Sequence, residues 1–131
     1  MIDDQVREAG VQACLEYDHC ASEIARLTRA IGDALSGCAR AAEPGGENHL
    51  VDAYATIDHG PDDVRFLSDA EQAEVLAPCP ACARAHELIQ QRKAMRIRWG
   101  AAKRRVRAIA RRAAAPEPEP AADPFPQLEL V

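Results

Sequence analysis

The chain is poor in the large side chains that fill a thick core. Its 131 residues include one Trp, two Tyr and two Phe, an aromatic share of 4%. So few aromatics argue against a β-sandwich or a large enzyme cleft. Ile, Leu, Val and Phe together number 25, whereas Ala alone numbers 27, so the apolar fraction of 47% overstates the bulk available for burial. No run approaches the ~18 consecutive apolar residues of a membrane span. The start, Met1-Ile2-Asp3-Asp4, lacks the apolar stretch of a signal peptide, and a cytoplasmic protein is expected. There is no Gly-rich phosphate loop, no H-E-x-x-H pair and no Ser/His/Asp set. The expectation is a protein that is not an enzyme.

Ala and Arg are abundant and β-branched residues few, a balance that favours helix. The length suits one small domain with tails. A core this thin calls for a metal, a partner or self-association.

Positions Val6, Gly10, Ala13, Tyr17, Cys20, Ile24, Leu27, Ile31, Ala34 and Cys38 recur at steps of three and four. This heptad seam predicts one long helix over 4–41, with Asp3 or Asp4 as N-cap. A second seam, Ala85, Leu88, Arg92, Met95, Trp99, Ala102, Val106, Ile109 and Ala113, predicts a helix over 80–114 with Pro80 at its start. The connection, 43–78, carries breaks at Gly45-Gly46 and Gly60-Pro61. A short helix is expected near His49–Tyr54, and Ser68-Asp69-Ala70-Glu71 has the capping-box pattern of another. The fold class expected is therefore all-α: an antiparallel, coiled-coil-like hairpin of two long helices, with short helices in the connection, spanning 1–115. Residues 116–131, opening Pro-Glu-Pro-Glu-Pro, read as a disordered acidic tail. The seams could also pair two copies into a homodimer. Flanking charges suggest a register in which Glu23 faces Arg98 and Glu16 faces Arg105. That register carries Cys38 towards Cys79 and Cys82.

The net charge of −5 conceals strong segregation. Residues 1–78 sum to −11, residues 79–115 to +10 and residues 116–131 to −4. Lys93, Arg96, Lys103, Arg107 and Arg111 fall at helical spacing away from the seam, and Arg104 widens the stripe. Such a stripe can follow a phosphate backbone, or it can be a solvated face partly neutralised by the acidic first helix. The segment has neither a recognition-helix signature nor interleaved aromatics.

Five Cys in a reducing compartment favour metal ligation or buried thiols over disulfides. Cys79-Pro80-Ala81-Cys82 is a knuckle at a helix start, where two thiolates can hold one Zn²⁺ near the positive end of the helix. The hairpin supplies Cys38 as a third ligand. His49, 11 residues beyond Cys38, is the first choice for the fourth, with His86 as the main alternative and His59 a further one. The competing reading leaves Cys38, Cys79 and Cys82 as small unligated core residues. A closed four-ligand site would be structural. Cys20 lies on the seam, where packing is its expected role. Cys14, Asp18 and His19 form a weaker second candidate.

Two resemblances add to this. Gln127-Leu128-Glu129-Leu130-Val131 resembles the short peptide that binds the bacterial sliding clamp. Gln127, Leu128 and Leu130 match its pattern, and Val131 stands where an aromatic is usual. The run Cys79-Pro80-Ala81-Cys82 followed by Arg92-Lys93 and then Gly100-Ala101-Ala102-Lys103 resembles small phage- or prophage-encoded helical proteins. That resemblance implies a mobile-element origin, with a role in phage replication or in inhibiting a host machine. With the basic helix and the tail, the function expected is that of a non-enzymatic zinc-binding protein that binds DNA or DNA-associated host machinery. The alternative is a protein-only adaptor or inhibitor of a host complex, such as an anti-defence protein, that binds no nucleic acid.

Overall fold

The computed structural model describes residues 3–58 and 60–115. Two long helices dominate it: α1, Asp4–Leu35, and α5, Pro80–Ala114. Between them come α2 (Ala39–Ala42), α3 (Leu50–Ala53), β1 (Thr56–Asp58), β2 (Val64–Phe66) and α4 (Asp69–Leu76). Asp3 caps α1 by accepting the Gln5 N–H at 3.0 Å. Ser68 and Glu71 complete the capping box of α4 in both directions. Pro80 occupies the first turn of α5, where its missing N–H costs nothing.

The long helices run antiparallel and touch from end to end. Gly10 packs against Ile109, the Tyr17 and Trp99 rings lie 5.7 Å apart, and Gly37 packs against Ala81. The buried side chains of α1 are Ala13, Cys20, Leu27 and Ile31, all members of the predicted seam. Those of α5 are Cys82, Ala85, Leu88 and Ala102. Small residues dominate this interface, so the backbones approach closely and dispersion replaces bulk. The core is thickest at the end holding the connection, where Leu27, Ile31, Leu50, Ala53, Leu76 and Leu88 gather with three of the cysteines.

Three sequence expectations need correction. The first helix does not reach residue 41; it ends at Leu35, and Cys38 adopts an extended conformation before α2 begins. A β-carbon on Gly37 would lie 3.4 Å from the Ala81 β-carbon, so a small residue lets the chain turn here against the start of α5. The fold is also not purely α-helical. β1 and β2 form an antiparallel hairpin that pairs Thr56 with Phe66 and Asp58 with Val64. Thr, Ile, Val and Phe favour extended backbone, but each run is only three residues long, too short for a periodic signal. Finally, neither predicted ion pair forms. Arg98 bonds Glu16 at 2.7 Å, Glu23 pairs within its own helix with Arg26, and Arg105 makes no ion pair among the described residues. Gly10 against Ile109 and Gly37 against Ala81 keep the helices within a few residues of the expected register, so the difference lies in the side chains: Arg26 takes Glu23, and Arg98 reaches along the interface to Glu16.

Candidate metal centre

Four segments meet at the connected end of the helix pair. Cys79 is the N-cap of α5, in extended backbone, and its Sγ accepts the Cys82 N–H at 3.4 Å. Cys82 stands one turn further on and is fully buried. The break after α1 turns Cys38 inward, 1% exposed, towards this knuckle. His49 arrives from the loop before α3, and its backbone N–H donates to Cys82 Sγ at 3.3 Å.

Arg40 builds the loop that delivers His49. Its guanidinium donates to the Glu47 carbonyl at 2.7 Å, the Asn48 carbonyl at 2.9 Å and the Asp52 carboxylate at 3.0 Å. Gly46 lies directly over the Arg40 carbonyl, leaving no room for a side chain. Asn48 Oδ1 accepts the Leu50 N–H at 3.0 Å and sets α3, whose Leu50 and Ala53 enter the core. Sequence reasoning missed Arg40; its position two residues after a ligand cysteine, ahead of a Gly-Gly turn, was the available signal.

The ligand atoms of Cys38, His49, Cys79 and Cys82 all lie within 4.8 Å of one another, placed to hold a metal ion. His49 Nδ1 is 3.8 Å from Cys38 Sγ and 3.6 Å from Cys82 Sγ. A tetrahedron with Zn–S of about 2.3 Å and Zn–N of about 2.05 Å has S···N edges of about 3.6 Å, so the spacing fits a zinc ion. The donor set also fits, because thiolate and imidazole suit zinc better than hard cations. Cys38 is held down to about 6 by the Ala41 N–H, against the cost of burial and with help from His49. Burial pushes Cys82 up to about 11. A cation among the sulfurs would offset both the burial and the mutual repulsion of thiolates held this close.

Of the alternatives for the fourth position, His86 is engaged elsewhere: its Nδ1 lies 2.7 Å from the Tyr54 hydroxyl. His59 falls outside the described residues. Cys14, Asp18 and His19 do not come together; among the described residues, only Cys38, His49, Cys79 and Cys82 form a possible metal-holding group. Cys14 is exposed, while Cys20 is buried in the seam with its thiol 3.6 Å from a Glu16 oxygen.

The basic stripe emerges in altered form. Lys93, Arg96, Arg104, Arg107 and Arg111 are exposed on α5. Lys103 instead folds over the Trp99 ring, with its Nζ 3.3 Å from the centroid. Gln127, Leu128, Leu130 and Val131 lie outside the described residues. No helix among the described residues is long and apolar enough to cross a membrane.

Compared with protein families, with curated proteins and with solved structures, the chain matches none.

Proposed function

We propose that this chain is a non-enzymatic zinc protein that presents a basic helix to nucleic acid. The observation carrying the proposal is the convergence of Cys38, His49, Cys79 and Cys82 within 4.8 Å of one another. All four positions of a tetrahedral ion are supplied by protein, which leaves none for a reacting water, so the ion's role is structural. It would tie the end of α1, the Arg40 loop and the start of α5 into one unit. A chain with so few large apolar residues needs such a staple.

The nucleic-acid part rests on α5. Lys93, Arg96, Arg104, Arg107 and Arg111 face outward, and none is ion-paired among the described residues. Release of counterions from phosphates would drive binding.

Metal analysis of the purified chain tests the first part. One zinc per chain is expected, lost on Cys79→Ser or Cys82→Ser; retention of full zinc by both variants overturns the site. A salt titration against DNA tests the second. Binding at low salt that falls steeply as salt rises supports it, and no binding at low salt points to a protein-only partner.

A further inference from the structure

The basic stripe does not end at Lys93. There it runs into a cleft of about 460 Å³ between the β-hairpin, α4 and α5. Phe66 on β2, Tyr54, and Ile89 on α5 provide its apolar surface. Lys93, Asp69, Gln72 and Gln90 provide its polar groups. Phe66 is 70% exposed, although it is one of only two Phe in the chain. With Tyr54 and Ile89 it lines one apolar surface that is open to an occupant.

The surroundings hold this ring in place. Arg65, its neighbour in β2, pairs with Glu71 at 2.9 Å and so ties the hairpin to the start of α4. Tyr54, which also lines the cleft, is fixed by its 2.7 Å hydrogen bond to His86. The aromatic surface is thus assembled from the connection and set beside the first cation of the stripe, a juxtaposition absent from the linear sequence.

We propose that this cleft takes an unstacked base of single-stranded nucleic acid, whose phosphates follow Lys93, Arg96, Arg104, Arg107 and Arg111 along α5. This inference rests on the nucleic-acid reading above and narrows it to single strands. Stacking on an exposed aromatic is the usual way such strands are held, and it needs no particular sequence. Gln72 and Gln90 can each donate to and accept from a base edge. The Asp69 carboxylate repels a phosphate but accepts from an exocyclic base amine, so it favours a base in the cleft over the backbone. The volume lies in the range of about 300–1,000 Å³ typical of small-molecule pockets, ample for a planar ring. Lys93 to Arg111 covers about 27 Å of helix, a track for several nucleotides. A duplex keeps its bases stacked inside and could use the track but not the cleft.

Fluorescence anisotropy of the zinc-loaded full chain at low salt decides the matter, with three dye-labelled DNA probes: a mixed-sequence single strand, the same strand made abasic, and a duplex. The native chain is expected to favour the intact strand over the abasic one by about ten-fold. Phe66→Ala should abolish that preference, and Phe66→Tyr should retain it. Lys93→Ala should weaken all three probes. Helicity and zinc content, measured alongside, identify any variant that fails to fold. Equal binding of intact and abasic strands by the native chain overturns the cleft while leaving the basic helix as a polyanion site. So does a preference that survives Phe66→Ala. No binding of any probe overturns the nucleic-acid reading itself, and the cleft assignment with it.

Discussion

Arg98 reaches from α5 to Glu16 on α1, its Nη2 2.7 Å and its Nε 3.1 Å from the same carboxylate oxygen. Glu23, one heptad along α1, is taken instead by Arg26 through three hydrogen bonds within the helix. The cross-helix pair therefore reflects which carboxylate the neighbouring Arg26 leaves open. The Arg98 guanidinium holds the Glu16 carboxyl below its ordinary value. A carboxylate lowered by folding stabilises the fold fully above its unfolded value, about 4.3, and this stabilisation is lost as pH falls through the lower folded value. A double-mutant cycle of Glu16→Gln and Arg98→Met, followed by urea unfolding, should show a small favourable coupling at neutral pH. The coupling should disappear in acid below the folded value, and high salt should reduce it.

The cysteines should divide by reactivity. With zinc bound, iodoacetamide should modify Cys14, the exposed thiol, and spare the other four. Cys20 is protected by burial, which together with Glu16 raises its pKa. A chelator should then expose Cys38, Cys79 and Cys82 to the reagent while Cys20 stays slow. Mass spectrometry of peptides checks this, and equal labelling with and without chelator would count against a metal at the cluster.

Gly46→Ala should weaken zinc binding although Gly46 is no ligand. Its β-carbon would land on the Arg40 carbonyl and push apart the loop that carries His49. Loss of such supporting geometry typically costs about 10- to 100-fold in metal affinity. Competition with a chromophoric chelator measures the loss. Arg40→Lys should act in the same direction, because an ammonium cannot reproduce the fork that spans Glu47, Asn48 and Asp52.

Leu27→Ala should cost about 2–5 kcal/mol, the usual range for emptying a buried leucine site. Leu27 is 1% exposed and belongs to the core beside the cysteines. Denaturant unfolding of the zinc-loaded chain gives the value. A cost below 1 kcal/mol would mean that the helix pair does not depend on this core.

Several elements could be read locally because their causes are local. Pro80 opens α5 and Ala114 ends it just ahead of a Pro-rich stretch, so both bounds agree with the expected 80–114. The Ser68–Glu71 box fixes the start of α4 from four residues alone. The spacing of Cys79 and Cys82 announces a pair of ligands. The seam residues Ala13, Cys20, Leu27 and Ile31 are buried as their period requires. The break at Cys38 was not legible, because the helical period runs through it. The hairpin was not legible either, because three-residue strands leave no pattern.

The sequence by itself thus determined that there are two long helices, which faces they bury and which residues bring ligand chemistry, since propensity, capping and periodicity act over a few residues. Tertiary structure decided the rest. It gave Arg98 to Glu16 rather than Glu23, because Arg26, one turn away on the same helix, already holds the Glu23 carboxylate. It brought His49 to the thiols and gave His86 to Tyr54, because a loop held by Arg40 sets where an imidazole points. It set Phe66 beside Lys93, 27 residues away in the chain, because a β-hairpin folds back over the helix that carries the charge.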